Sequence, residues 1–191
     1  MTSRAFTRLA SRVVLSLALV VVSLFPNLPR LAEQLPRVLH PERLVDPHFA
    51  GSDEAVALLE NELATLPPNA SVAKRVKAVG AFVRKHVAYA SDWDLYGGNL
   101  HDWPTAEEVW RLRSDDCDGI AVLTASLLQR IGISATLEYN AFHCWVNVTA
   151  AEAAPAIRVG GAVAGPTSSR RDGSMDWISL GRDLLRVRTW T

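Results

Sequence analysis

The sequence predicts a single α+β domain behind an apolar N-terminal segment. Three observations lead there. Helical periodicity runs through much of residues 52–132, strand-like alternation follows at 133–139 and 142–148, and the 191-residue composition is 49% hydrophobic and 21% charged. A chain of this length supports one substantial core. Basic and acidic residues number 20 each, giving a formal net charge of zero, so the electrostatics give no reason to propose nucleic acid as a partner.

The N-terminus has its own pattern. Arg4, Arg8 and Arg12 precede the uncharged apolar run Val13 to Phe25, the layout of a secretory signal. The run has 13 residues, whereas a straight helix needs about 20 to cross hydrocarbon, which favours a signal-type segment over an ordinary transmembrane helix. No small-x-small cleavage pattern follows Phe25, so an uncleaved membrane tether with its arginines on the cytoplasmic side is the other reading. Residues 1–30 are therefore expected to be a signal-type or membrane-anchor segment. The remainder would lie on the non-cytoplasmic face, periplasmic or extracellular, with the membrane as one partner. From Pro26 to Ala50 five prolines interrupt any period, so residues 31–50 read as a linker or extended arm and 51–191 as the domain.

Within the domain, Ser52 is a candidate cap for a helix carrying Val56, Leu59 and Leu63 on one face and ending before Pro67 and Pro68. Val72, Val76, Val79 and Val83 define a second helix from about Ser71 to His86. Tyr89 to Thr105 loses periodicity and gains Gly, Asn, Asp and aromatics, which predicts an ordered loop. Thr105 and Glu108 have capping-box spacing, so a short helix should run to about Arg113. Asp116 can cap the next helix, whose apolar face is Ile120, Leu123, Leu127, Leu128 and Ile131, with Gly132 as the stop. Two strands follow in "ISATLEY" and "FHCWVNV", joined near Asn140 and Ala141. In the second, Phe142, Cys144, Val146 and Val148 share one face, and His143, Trp145 and Asn147 share the other. A Gly- and Ala-rich excursion spans Ala150 to Ser174, with a hairpin expected around Gly160 and Gly161, and "MDWISL" (Met175 to Leu180) should return as a strand.

Cys117, in "DDCDG", carries the chemistry of interest. In the first turn of a helix it meets unpaired N–H groups and the positive end of the dipole, both of which favour a thiolate. His143, on a neighbouring strand, is a candidate imidazole partner, and the Cys117 N–H a candidate oxyanion donor. The chain has only two cysteines, so a Cys117–Cys144 disulfide competes with this reading. Strand alternation makes the two exclusive: if His143 points at Cys117, Cys144 points into the core. A zinc site has no C-x-x-C pair to support it, and a plain buried cysteine leaves the three aspartates unexplained.

"VAYASDWDLYGGNLHDWPTAEEVW", "DDCDGIAVLTASLLQRIGISATLEY" and "FHCWVNV", in that order, resemble the transglutaminase-like superfamily, most closely its bacterial cysteine-proteinase branch. The resemblance covers about Ser71 to Val148, and more loosely the chain to Asp183. It implies a papain-like α+β core, helices packed on an antiparallel sheet, with the nucleophile at a helix N-terminus. It implies Cys117 as nucleophile, His143 as general base and an orienting Asp, with a protein or peptide as substrate. The family's usual Asp position falls on Gly181, so Asp183 is the candidate, on strand parity, ahead of Asp176. In that branch carboxylates flanking the cysteine bind calcium, and Asp116 and Asp118 match those positions. No cofactor is otherwise required. A non-catalytic binding or scaffold domain with a degenerate triad is the alternative function.

Overall fold

The structure is a computed structural model that describes residues 3–140, 143–148, 157–160 and 187–188. It is a mixed helical and sheet architecture, in agreement with the α+β expectation. Helix α1 (Ser3–Leu24) is followed by α2 (Leu28–Leu39), a 3-10 turn at Pro41–Leu44, α3 (Ser52–Leu63) and α4 (Val72–His86). Strand β1 (Ala88–Tyr89), helices α5 (Asp92–Leu95) and α6 (Ala106–Leu112), and strand β2 (Ser114–Asp115) lead into α7 (Cys117–Arg130). Strands β3 (Ala135–Tyr139), β4 (Cys144–Val148), β5 (Ile157–Gly160) and β6 (Val187–Arg188) form an antiparallel sheet in the order β5-β4-β3-β6.

The capping chemistry explains where the helices begin. Ser71 accepts from Lys74 N at the start of α4, and Arg84, Lys85 and His86 complement the dipole at its end. Thr105 and Glu108 form the reciprocal capping box at α6. Ser52 behaves differently from expectation: it is the first helical residue, and Gly51, at φ 90°, occupies the cap. Helix α7 is buried from Asp118 to Leu128, and Gly132, at φ 78°, ends it in the left-handed conformation. Its internal hydroxyls are satisfied locally, since Thr124 and Ser126 donate to Ile120 O and Val122 O at 2.7 and 2.8 Å.

Helix α7 is the centre of the core. It packs against α4 and α6 on one side and β3 and β4 on the other. Ala135, Leu137, Cys144, Val146 and Val148 form the sheet face of that core. The opposite sheet face carries Glu138, which accepts from Trp145 Nε1 at 3.0 Å and Asn147 Nδ2 at 3.1 Å.

Two N-terminal expectations are corrected. Residues 31–50 are not an extended arm: α2 and the 3-10 turn occupy most of them, and Gln34, Pro41, Leu44 and Phe49 are buried. Prolines were poor breakers here because Pro29 lies in the first turn, where no N–H is needed, and Pro36 is tolerated near the far end. The apolar helix is also longer than the 13-residue run: an 18-residue window, Thr7–Leu24, is long and apolar enough to cross a membrane, and none of it is buried. One N-terminal apolar helix of this kind fits a signal or an anchor.

Strand β5 pairs with β4 from Ile157 to Gly160. Gly161, the expected strand Met175 to Leu180, and the candidate acids Asp176 and Asp183 lie outside the described residues.

Candidate active site

Pairing of β1 with β2 brings two distant segments together. Ala88 N donates to Arg113 O at 2.8 Å and Ala90 N to Asp115 O at 3.1 Å, which lays the loop beginning at Ser91 beside "DDCDG". Ser91 caps α5, and Asp92, in its first turn, accepts from Asp102 N at 2.7 Å. One carboxylate oxygen from each of Asp92, Asp115, Asp116 and Asp118 then lies within 4.8 Å of the others. His101 joins Asp92 and Asp118 in a second such group, its Nδ1 3.7 and 3.8 Å from their Oδ2 atoms.

The carboxylates are held by local hydrogen bonds that leave oxygens over. Asp116 caps α7 by accepting from Asp118 N at 3.2 Å, as the sequence predicts. Asp115 is fully buried and accepts from Asp116 N at 2.9 Å and from the Tyr96 hydroxyl. Asp118 accepts from Gly119 N at 2.7 Å. Asp92 Oδ1 and Asp118 Oδ2 are buried and accept no hydrogen bond.

Burial and crowding raise the proton affinity of Asp92, Asp115 and Asp118. Burial, reinforced by the charge of Asp116, pushes Asp92 up to about 8 against the pull of the Asp102 N–H. Burial pushes Asp115 up to about 7, although Tyr96 and the Asp116 N–H pull it down. Asp118 rises well above the carboxylate range for the same reasons, burial first and then Asp116. His101, half exposed and set edge-on to Trp103 at 5.6 Å, is pushed below its ordinary value by desolvation despite the neighbouring acids.

Four clustered carboxylates with two orphaned buried oxygens suit a hard cation such as calcium, because neither orphan accepts a hydrogen bond, and His101, the basic group 3.8 Å from Asp118 Oδ2, is itself pushed toward its neutral form. Sequence reasoning singled out Asp116 and Asp118. It missed Asp92 and His101 as members of the cluster. The available signal was an aspartate and a histidine in an aromatic, glycine-rich loop leading to the cysteine motif.

Cys117 opens α7 and lines a cavity of about 260 Å³ with His101, Trp103, Tyr139, His143 and Cys144. The sequence pair Cys117 and His143 thus shares one pocket. The parity argument needs correction, however. The β4 face that meets α7 carries Cys144, and the His143 ring stacks on Trp145, 5.9 Å away on the other face. His143 lines the pocket because it precedes the first paired residue of β4. Its N–H donates to Asn140 Oδ1 and its carbonyl accepts from Asn140 N, both at 2.9 Å, which closes the β3–β4 turn.

Cys117 and Cys144 are both free thiols. The backbone N–H of Cys144 donates to the Cys117 thiol, but burial and the charges of Asp116 and Asp118 prevail and push that thiol up to about 12. The favourable effect of the helix N-terminus does not prevail here. Burial outweighs it first, and the acidic neighbours add to that unless positive charge balances them.

No family model matches the chain, and no curated protein matches it.

Proposed function

We propose that the chain is a cation-dependent thiol enzyme that cleaves or transfers amide bonds of a protein or peptide, in the manner of transglutaminase-like cysteine proteinases. The observation that carries the reading is the shared pocket of Cys117 and His143 directly beside the four-carboxylate cluster. Asp92, Asp115, Asp116 and Asp118 would hold calcium, which supplies the positive charge that lets Cys117 ionise beside them.

In this mechanism the Cys117 proton passes to His143 and Sγ attacks the amide carbonyl carbon. The Cys117 N–H, in the first turn of α7, would donate to the developing oxyanion, since the Asp118 and Gly119 N–H groups are already bonded to Asp116 Oδ1 and Asp118 Oδ1. Collapse breaks the C–N bond, and His143 returns the proton to the leaving amine. Water, or an acceptor amine, then attacks the thioester and frees Cys117. Asp183 or Asp176 would orient the imidazole. Helix α1 tethers the enzyme to a membrane, and Arg4, Arg8 and Arg12 favour a cytoplasmic N-terminus with the domain on the opposite face.

Alkylation of Cys117 by iodoacetamide, followed by mass spectrometry of the folded chain, tests this. Calcium should speed labelling at neutral pH at least tenfold over chelator, and His143→Ala should remove most of that gain. Hydrolysis of a peptide library should then disappear in Cys117→Ser. Equal labelling with calcium and chelator would overturn the cation's role, and an unchanged His143→Ala profile would overturn the pairing. A non-catalytic cation-binding domain is the second reading, favoured by the raised Cys117 thiol. It expects a calcium-dependent melting temperature with no change in labelling.

A further inference from the structure

Helix α2 is amphipathic in the inverted sense. Arg30, Gln34 and Arg37 point into the protein: Arg30 Nε donates to Asp102 Oδ1 at 2.7 Å, Arg37 Nη1 to Glu108 Oε2 at 2.6 Å, and Gln34 accepts from Trp103 N at 2.6 Å. Leu28, Leu35, Val38 and Leu39 are 47% to 65% exposed. Leu28, Ala32, Leu35 and Leu39 fall within roughly 60° of arc on the helix, opposite the three docked polar residues. In water this arrangement gains nothing from its leucines.

Helix α2 is also continuous with α1. Only Phe25, Pro26 and Asn27 separate the two helices, and they are fixed in place. Asn27 N donates to Asn99 Oδ1 and Asn27 Nδ2 to Tyr96 O, each at 3.2 Å, and Leu100 N donates to Leu24 O at 3.1 Å. The apolar window of α1 ends at Leu24, so α2 starts where the bilayer would end.

We infer that α2 lies in the membrane interface, with Leu28, Ala32, Leu35 and Leu39 seated in lipid, and rests the domain on the bilayer it is tethered to. The inference rests on the reading of α1 as a membrane anchor. The occupant is the lipid surface because α2 follows the exposed apolar helix α1 after three fixed residues, while its polar face is already used by the protein. The hydrogen bond from Leu100 to Leu24 then sets the pocket loop, with Leu100 and His101, at the level of that surface. Substrates reaching Cys117 would be protein segments close to the membrane.

Hydroxyl-radical footprinting of the full wild-type chain in phosphatidylethanolamine and phosphatidylglycerol vesicles tests the inference without a variant. Leu58 and Leu112, each 38% exposed on the domain surface, serve as aqueous references. Leu28, Leu35 and Leu39 should be modified at least fivefold less than these two, although they are more exposed in the structure. Modification equal to or above the references overturns the inference. So does protection that vanishes when the chain is diluted into excess lipid, since a second copy would then be the cover. Flotation of the same sample separates the two readings. A chain that does not float with the vesicles defeats the anchor and the inference together. A chain that floats with these leucines fully modified defeats only the inference.

Discussion

A Cβ on Gly119 would lie 2.4 Å from Cγ of Asp115. That separation is shorter than any packed contact, and Asp115 is fully buried and tied to Tyr96 and the Asp116 N–H, so it has nowhere to retreat. The glycine of "DDCDG" is thus required by the close approach of β2 to the first turn of α7. Gly119→Ala should lower stability by about 1–3 kcal/mol despite alanine's better helix propensity, measured by chemical denaturation. Gly132→Ala has open space around it but a φ of 78°, so a loss there would come from the backbone alone. A Gly119→Ala protein as stable as wild type would refute the packing described for the acidic cluster.

The raised carboxyls fix the sign of a pH dependence. Asp92 and Asp115 have folded-state values of about 8 and about 7, against an ordinary 3.8. The folded state therefore holds protons that the unfolded chain has released. The stability they contribute is complete below pH 4 and is lost as pH rises through 7 and 8. In chelator the melting temperature should fall across that window, on the order of 5 °C or more. Calcium needs the ionised carboxylates, so it should flatten or reverse the slope. Differential scanning calorimetry at several pH values decides this, and a chelated protein that gains stability toward alkaline pH would contradict the cluster's electrostatics.

Glu108 works in two places at once. It closes the α6 capping box by accepting from Thr105 N at 2.8 Å, and it pairs with Arg37 at 2.6 Å and Arg30 at 3.3 Å, which docks α2. Desolvation pulls its pKa upward, but the Thr105 N–H and Arg37 prevail and hold it below the usual range. Its contribution is therefore present at neutral pH and lost as pH falls through the carboxyl range. Glu108→Ala should cost about 2 kcal/mol and, more specifically, speed trypsin cleavage after Arg30 and Arg37. Slower or unchanged cleavage would mean that α2 is held by something else.

The helices of the domain were legible because their inward faces are apolar at helical spacing, as in Val76, Val79 and Val83. Helix α2 was not, because its inward face is Arg30, Gln34 and Arg37, and a periodicity test assumes the opposite sense. Alternation in β4 was legible too, yet it says only which residues share a face. Packing of α7 decides that the Cys144 face looks inward, and nothing in the spacing of His143 and Cys144 contains that choice. Asp116 was readable as a cap from its neighbours. Asp92 was not readable as part of the same cluster, since only the two-residue pairing of β1 with β2 brings it there.

Asp92 gives the sharpest test of the site, because two effects of one substitution have opposite signs. In chelator above pH 8, Asp92 is a buried carboxylate with an orphaned oxygen beside three other acids, so Asp92→Asn removes an unfavourable charge and should raise the melting temperature. In calcium the same substitution removes a ligand and should abolish most of the cation-induced rise. For wild type the stabilisation behind that rise is about 2.7 kcal/mol when calcium exceeds its dissociation constant about a hundredfold. Asp94→Asn is the control: it lies in the same short helix but is exposed and outside the cluster, so it should keep the full calcium shift. Thermal melts of the three proteins, with calcium and with chelator, read both effects. An Asp92→Asn protein with an undiminished calcium shift would remove Asp92 from the cation site, and one that is less stable in chelator would mean that its hydrogen bond to Asp102 N outweighs the buried charge.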